Sequence, residues 1–295
     1  MLTLEELAGL LENHRAAATA RVQEFSLDGK PFPFNAGPAI MGVVNLSADS
    51  WYRESVCLSA AAAIQRGRVL AAQGAEIIDV GAESTLAQAA RAGQAAQKSK
   101  LLPVIRALRA EKILVSVETY SPAVTRASLE AGANILNLTG TVAAGEIYRM
   151  VAAHEGAVII CFVAGKNVRA AGDFNLQADP IPILRDFFAR QIELARRNGV
   201  EKILLDPGLG FYYRNLQDSA VRVRHQMKVF LNTFRLRELG FPVCHALPHA
   251  FEFFRDEVRS AEPFFALLAA LGKTDLFRTH EVPRIRAVLE TCRAW

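Results

Sequence analysis

Apolar positions along the chain fall into short dense runs, separated by longer segments with a helical period. The runs are AIMGVVNL (39–46), EIIDVGA (76–82), ILVSVET (113–119), ILNLTG (135–140), AVIICFV (157–163), KILLDPG (202–208), PVCHAL (242–247) and LFRTHE (276–281). Their nearly continuous apolarity and β-branched content suit strands buried on both faces of a parallel sheet. The segments between them predict helices. SAAAAIQRGRVLAAQGA (59–75) stops at Gly74, SPAVTRASLEAGA (121–133) has Pro122 early and Gly132 at its end, and PILRDFFARQIELARRNGV (182–200) closes at Gly199. Eight strand–helix repeats in about 250 residues predict a single (β/α)₈ barrel, an α/β TIM barrel. A doubly wound open sheet competes, but eight parallel strands without an antiparallel interruption favour closure. Residues 1–35, which begin MLTLEELAGLLENHRAAATA, predict an N-terminal helical extension, and residues 36–295 the barrel.

Composition narrows the class of function. Half of the 295 residues are apolar and 22% are charged, which excludes a disordered chain. The net charge of +4 and a pI near 9.0 suit anionic small ligands, while the lack of a dense basic tract argues against nucleic acid. No charge-free apolar run of about 18 residues is present, so no membrane span is expected. Glu5, Glu6 and Glu12 make the first segment an amphipathic helix, not a signal peptide. Four scattered cysteines (Cys57, Cys161, Cys244 and Cys292) predict reduced thiols and a cytoplasmic protein.

Catalytic residues of such barrels project from the C-terminal ends of the strands. There the sequence places Asn45, Asp79, Glu83, Glu118, Asn137, Asp206, His245, Arg278 and His280. Each has a bland reading as a turn residue, a buried hydrogen-bonded residue or, for Asp206-Pro207-Gly208, ordinary turn chemistry. Their convergence on one rim favours a site. Carboxylates and amides suit a heterocycle with a guanidine-like edge, because a carboxylate accepts two parallel N–H bonds. Arg278 and His280 next to a helix start suit a phosphate or diphosphate.

The same residues carry a family resemblance. IMGVVNLSADSW (40–51), GAEIIDVGAEST (74–85), VSVETYSPAV (115–124), AGANILN (131–137), ILLDPGLGF (203–211) and FRTHEV (277–282) resemble, in order, the strand motifs of dihydropteroate synthases. DSWYRES (49–55) and DPGLGFYYR (206–214) look more like the sulfonamide-resistant branch of that family. The resemblance implies a TIM barrel that condenses a 6-hydroxymethyl-dihydropterin diphosphate with an arylamine, p-aminobenzoate or a related acceptor, and releases diphosphate. By the same resemblance, Asn45, Arg278 and His280 are the catalytic set that holds the diphosphate, with Mg²⁺ at Asn45. Glu118, Asn137 and Asp206 hold the pterin, and Thr85 contacts the arylamine. A homodimer through barrel helices is carried over from the family.

The chain also departs from the family. HALPHAFEF (245–253) stands where the family has S-R-K-S, so Pro248, His249, Ala250 and Phe251 replace a serine and a lysine. The second-loop arginine is Leu86, the acid after Asn137 is Leu138, the fifth-strand M-H-M is Cys161-Phe162-Val163, and Glu118 is one methylene longer than the family aspartate. His245 and His249 are candidates to replace the lysine, against the bland reading of a strand-end histidine as structural. Lys98, Lys100 and Lys166 are the lysines that a closing loop could bring in. The diphosphate set is complete and the arylamine set mostly gone, which favours a changed acceptor. Two other readings stay open: a non-catalytic pterin-binding paralogue, and a pterin-dependent methyltransferase, against which Arg278-x-His280 argues.

Overall fold

A computed structural model describes residues 2–47, 49, 55–84, 89, 91–170, 172–173, 179–210, 216 and 218–294. Eight parallel strands form the barrel: β3 (Ala39–Asn45), β4 (Ile77–Gly81), β5 (Leu114–Thr119), β6 (Ile135–Leu138), β7 (Ala157–Cys161), β8 (Lys202–Asp206), β9 (Cys244–Ala246) and β10 (Leu276–Thr279). Their order is β8-β7-β6-β5-β4-β3-β10-β9, and a parallel bridge between Leu205 and Val243 joins the two ends. All eight predicted runs are strands. The last two residues of KILLDPG and LFRTHE, and the ends of ILNLTG, AVIICFV and PVCHAL, belong instead to the loops that carry the site.

Helices α2 (Ala60–Ala72), α3 (Gln94–Ala110), α4 (Pro122–Glu130), α5 (Ala144–Ala153), α6 (Ile181–Arg197), α7 (Ser219–Leu231), α8 (Thr233–Leu236), α9 (Phe251–Phe254), α10 (Ala261–Leu271) and α11 (Val282–Arg293) lie between and after the strands. Local chemistry starts several of them. Ser59 accepts from Ala62 N at 3.2 Å, Asp218 accepts from Val221 N at 2.9 Å, and Pro122 occupies the first turn of α4. Helices α2, α4 and α6 end two residues before the predicted stops Gly74, Gly132 and Gly199.

The period of two along each strand sorts side chains into two cores. Ile40, Val44, Ile78, Val80, Val115, Val117, Ile203 and Phe277 face the helices and join the larger core. Ala39, Met41, Ile77, Leu114, Ile135, Ile159, Leu204 and Leu276 point into the barrel and fill its lower half. Above that apolar layer, the same inward parity delivers Asn45, Asp79, Glu118, Asn137, Asp206 and Arg278.

The N-terminal extension holds more than the predicted helix, which is α1 (Leu4–Asn13). It continues into an antiparallel hairpin of β1 (Phe25–Leu27) and β2 (Lys30–Phe32), joined by Asp28-Gly29. That dipeptide, with φ of 49° and 77°, is the two-residue turn whose twist matches a hairpin. Val22, Leu27, Phe32 and Phe34 pack against the inward apolar layer and close the barrel floor. Phe32 is buried and its ring lies 6.2 Å from that of Phe25 and 5.7 Å from that of Phe34. Phe32→Ala is therefore expected to cost about 3–5 kcal/mol of stability. Urea unfolding measures this, and a loss below about 1 kcal/mol would mean that the hairpin is not part of the core.

Candidate active site

A cavity opens at the C-terminal end of the barrel. Asn45, Glu118, Asn137, Asp206, Arg278 and His280 all line it, together with Glu83, Ser84, Arg222, Gln226 and the segment Ala246–Phe251. The six residues singled out in sequence thus meet in one place, and His249 joins them. Thr85 and Leu86, with residues 50–54 of DSWYRES and 211–214 of DPGLGFYYR, lie outside the described residues.

At the bottom of the cavity one guanidinium serves several acids. Arg278 Nε donates to Asp79 Oδ2 at 2.8 Å, and its Nη2 donates to Glu118 Oε2 at 2.7 Å. Asn137 Nδ2 donates to the same Asp79 oxygen at 3.1 Å, and Asn137 Oδ1 accepts from the Cys161 thiol at 3.1 Å. Asp79 is fully buried and does not line the cavity, so its bland reading as a hydrogen-bonded barrel residue fits. Asp206 combines both readings offered for it. Its Oδ1 accepts from Gly208 N at 2.8 Å, closing a turn in which Gly208 has φ of 76°, while its Oδ2 lies 3.8 Å from Cys161 Sγ beside the cavity.

Burial governs the charge state of these acids. Desolvation raises the Glu118 carboxyl to about 7 against the pull of Arg278, with Asp79 and Asp206 pushing it further up. Desolvation also raises Asp206 to about 6, opposed by Gly208 N and Arg278. The pocket therefore takes up protons near neutrality unless a ligand brings donors or positive charge.

The upper wall has a different logic. Asn45 Nδ2 donates to Ser55 Oγ at 2.6 Å and lies 3.5 Å from His280 Nε2. His280 Nδ1 is 2.9 Å and His249 Nε2 3.1 Å from Oε1 of Glu262, a fully buried carboxylate in the first turn of α10. Sequence reasoning missed Glu262. Its signal was a lone acid in AEPFFALLAALG (261–272), otherwise the most apolar helix of the chain.

His245 does not reach the cavity, and its candidacy to replace the family lysine ends there. Its neighbours Cys244 and Ala246 point inward, so by parity His245 faces the helices. It is fully buried, its Nε2 is 2.7 Å from Thr233 Oγ1, its ring packs edge-on to Phe230, and burial lowers its pKa to about 3. Lys98, Lys100 and Lys166 do not line the cavity either, and Lys100 Nζ donates to Leu46 O at 3.0 Å. The cation on the wall is Arg222 of α7, which donates to Glu252 Oε2 at 2.6 Å and to Leu216 O at 3.3 Å. It had no distinguishing mark in sequence, being one of several cations on α7.

Comparisons with known proteins bear on the fold and the family. The family described as pterin binding enzyme matches residues 41–246. The dihydropteroate synthase of Synechocystis sp. is 32% identical over 208 residues, 69% of each chain. That of Streptococcus pyogenes is 30% identical over 220 residues, 73% of this chain and 77% of the relative. Among solved structures, Xanthomonas albilineans dihydropteroate synthase with 4-aminobenzoic acid superposes with a TM-score of 0.77 at 26% identity, covering 94% of this chain and 98% of the other. The same enzyme with 7,8-dihydropteroate gives 0.74 at 25% identity, covering 92% and 98%.

The raised carboxyls make a stability prediction. The unfolded chain releases protons near the ordinary values of 4.5 and 3.8, whereas the folded chain keeps them until about 7 at Glu118 and 6 at Asp206. In that window the native state binds more protons, so the contribution of these groups is full at low pH and is lost as pH rises through 6–7. Glu118→Gln removes one such group. Thermal midpoints at pH 5 and pH 8 should differ less in the variant than in the parent chain, and an equal difference in both would show that Glu118 titrates normally.

Proposed function

The chain belongs to the dihydropteroate synthase family of pterin-binding enzymes, and on that premise we propose how its cavity divides the work of the transferase reaction. The reaction condenses a dihydropterin carrying a methylene diphosphate with an arylamine, p-aminobenzoate or a related acceptor, in the synthesis of folate or a related pterin cofactor. The carrying observation is the meeting of Asn45, Glu118, Asn137, Asp206, Arg278 and His280 around one cavity. In the reaction the C–O bond to diphosphate breaks with its electron pair leaving on oxygen, the acceptor nitrogen bonds to the methylene carbon, and that nitrogen loses a proton.

Glu118, Asn137 and Asp206 hold the pterin. The polar edge of that ring offers N–H donors to two buried carboxyls that lack enough positive charge. Its binding favours their ionised forms, and a carboxylate here steadies the cation that develops on the pterin. Arg278 and His280, with Asn45, hold the diphosphate at the mouth. The two Arg278 bonds to Asp79 and Glu118 use Nε and Nη2 and fix the guanidinium plane, and neither uses Nη1. Asn45 is oriented by its bond to Ser55 and contributes a hard amide oxygen of the type that suits Mg²⁺, which prefers few protein ligands with substrate phosphates. Bound there, Mg²⁺ would neutralise charge on the leaving diphosphate.

The acceptor end is where this chain differs. Pro248, Ala250 and Phe251 form that wall, and His249 is the one basic side chain among them. We assign the arylamine contacts to this wall, with His249 in place of a lysine and Thr85 from the second loop. Phe264, Leu267 and Leu271 form an exposed stripe on α10, which supports a homodimer through barrel helices. Among the described residues no helix is long and apolar enough to cross a membrane, and all four cysteines are free, which supports a cytoplasmic location. We keep residues 1–35 as an extension to a barrel of residues 36–295.

Asp206→Asn should weaken binding of a pterin diphosphate by about 1.5–3 kcal/mol, the range for hydrogen bonds to charged groups. Asn preserves an acceptor for Gly208 N, so the turn survives and calorimetry isolates the ligand contact. Unchanged affinity would remove Asp206 from the pterin site.

Sulfonamides, which imitate p-aminobenzoate, should bind the pterin-loaded protein weakly. The wall offers them Pro248, Ala250 and Phe251, the charge of Arg222 is already matched by Glu252, and His249 already faces the Glu262 carboxylate. Burying an anionic group without a cationic partner is costly. A sulfonamide titration after saturation with a pterin diphosphate decides this, and binding as tight as to an ordinary synthase would mean that the subsite is rebuilt.

A further inference from the structure

We propose that His249, Glu262 and His280 form a binding site for a zinc-class divalent cation in the cavity wall. The Glu262 carboxylate presents its two oxygens differently. Oε2 accepts from the Thr279 hydroxyl, from His280 N at 3.1 Å and from Glu281 N at 3.3 Å. Oε1 is the oxygen that faces the two imidazoles, 2.9 Å from His280 Nδ1 and 3.1 Å from His249 Nε2. His280 N also lies 3.3 Å from Oε1, so the protein fixes the carboxylate mainly through Oε2 and turns Oε1 toward the two rings.

The three ligand atoms all lie within 4.8 Å of one another. A tetrahedral ion bound at about 2.0–2.1 Å has ligands about 3.4 Å apart, so the nitrogen–oxygen distances of 2.9 and 3.1 Å need to open by up to about half an ångström, and the two ring nitrogens, within 4.8 Å of each other, need to settle at the same separation. Two imidazoles and one carboxylate form the three-ligand set of an open zinc site, with a fourth position left for solvent or substrate. Here that position faces the cavity, because His249 and His280 both line it. Imidazole donors select zinc, cobalt or iron over magnesium, so this site is chemically distinct from an oxygen site at Asn45.

Binding moves a proton on each ring: His280 Nδ1 and His249 Nε2 must both present lone pairs, so the neutral rings carry their hydrogens on His280 Nε2 and His249 Nδ1, and the Asn45 amide, whose Nδ2 lies 3.5 Å from His280 Nε2, must turn its oxygen toward that nitrogen. The alternative use of the same contacts is a hydrogen-bonded cluster in which Glu262 only orients the two rings. The cation site does not depend on the pterin reading, and the test uses no pterin.

The full-length protein, stripped with a chelator, is titrated with Zn²⁺ by calorimetry and with Co²⁺ by visible absorption. One equivalent of each should bind, with cobalt d–d bands of a nitrogen–oxygen site. Glu262→Gln and His249→Ala should each weaken binding about tenfold or more. Glu262 is fully buried, so the Glu262→Gln chain could fail to fold, in which case His249→Ala, at the cavity surface, carries the test. Absence of stoichiometric binding, affinity unchanged in His249→Ala, or a sulfur-to-cobalt charge-transfer band from the exposed Cys292 would each overturn the proposal.

Discussion

One guanidinium is shared by the carboxylates at the centre of the barrel, and the upper half of the molecule is organised around that shortage of positive charge. Arg278 satisfies Asp79 and Glu118 directly, whereas Asp206 relies on a backbone N–H and a thiol. Desolvation then raises two of the acids toward neutrality. Buried charge of this kind adds little net stability, and removing one partner of such a pair is strongly destabilising. Its use is chemical: a ligand with several N–H donors supplies what the protein withholds. The apolar layer below, closed by Phe32 of the hairpin and Phe34 just after it, keeps the floor apolar and the electrostatics strong.

Strand parity distributes the remaining chemistry. Inward positions build the pocket, and the outward Thr279 meets Glu262 on α10, a residue that acts from behind the barrel wall. Through Glu262 the helix layer sets the position of His280, which in turn lies beside Asn45. The Asn45–His280 end of the cavity is thus supported by residues on β3, β10 and α10 together, while the Glu118–Asn137–Asp206 end rests on the barrel strands.

The two sides of the cavity rest on different parts of the fold. Asn45, Glu118, Asn137, Asp206 and Arg278 sit on strand termini, where a change of side chain disturbs packing on both sides. The Pro248–Phe251 wall is a loop and the start of a short helix, which tolerate replacement because loops lie at the surface. Arg222 and Glu252 form a matched pair at this wall, so positive charge is present but already spent on a neighbour.

The eight strands, the N-terminal helix and three of the helices between strands, the closed barrel and the convergence of six site residues were legible in the sequence, because apolar runs, capping residues and strand-end polar groups are local signals. The hairpin was legible too, through Asp28-Gly29, but the helical opening obscured it. His245 could have been set aside from the sequence by parity with its neighbours Cys244 and Ala246. Tertiary structure alone decided that Arg278 pairs with Asp79 and Glu118, that Arg222 reaches the cavity wall, and that Glu262 joins His249 to His280. Those contacts link residues far apart in the chain, and a periodic pattern records which face a side chain occupies but not which partner waits there.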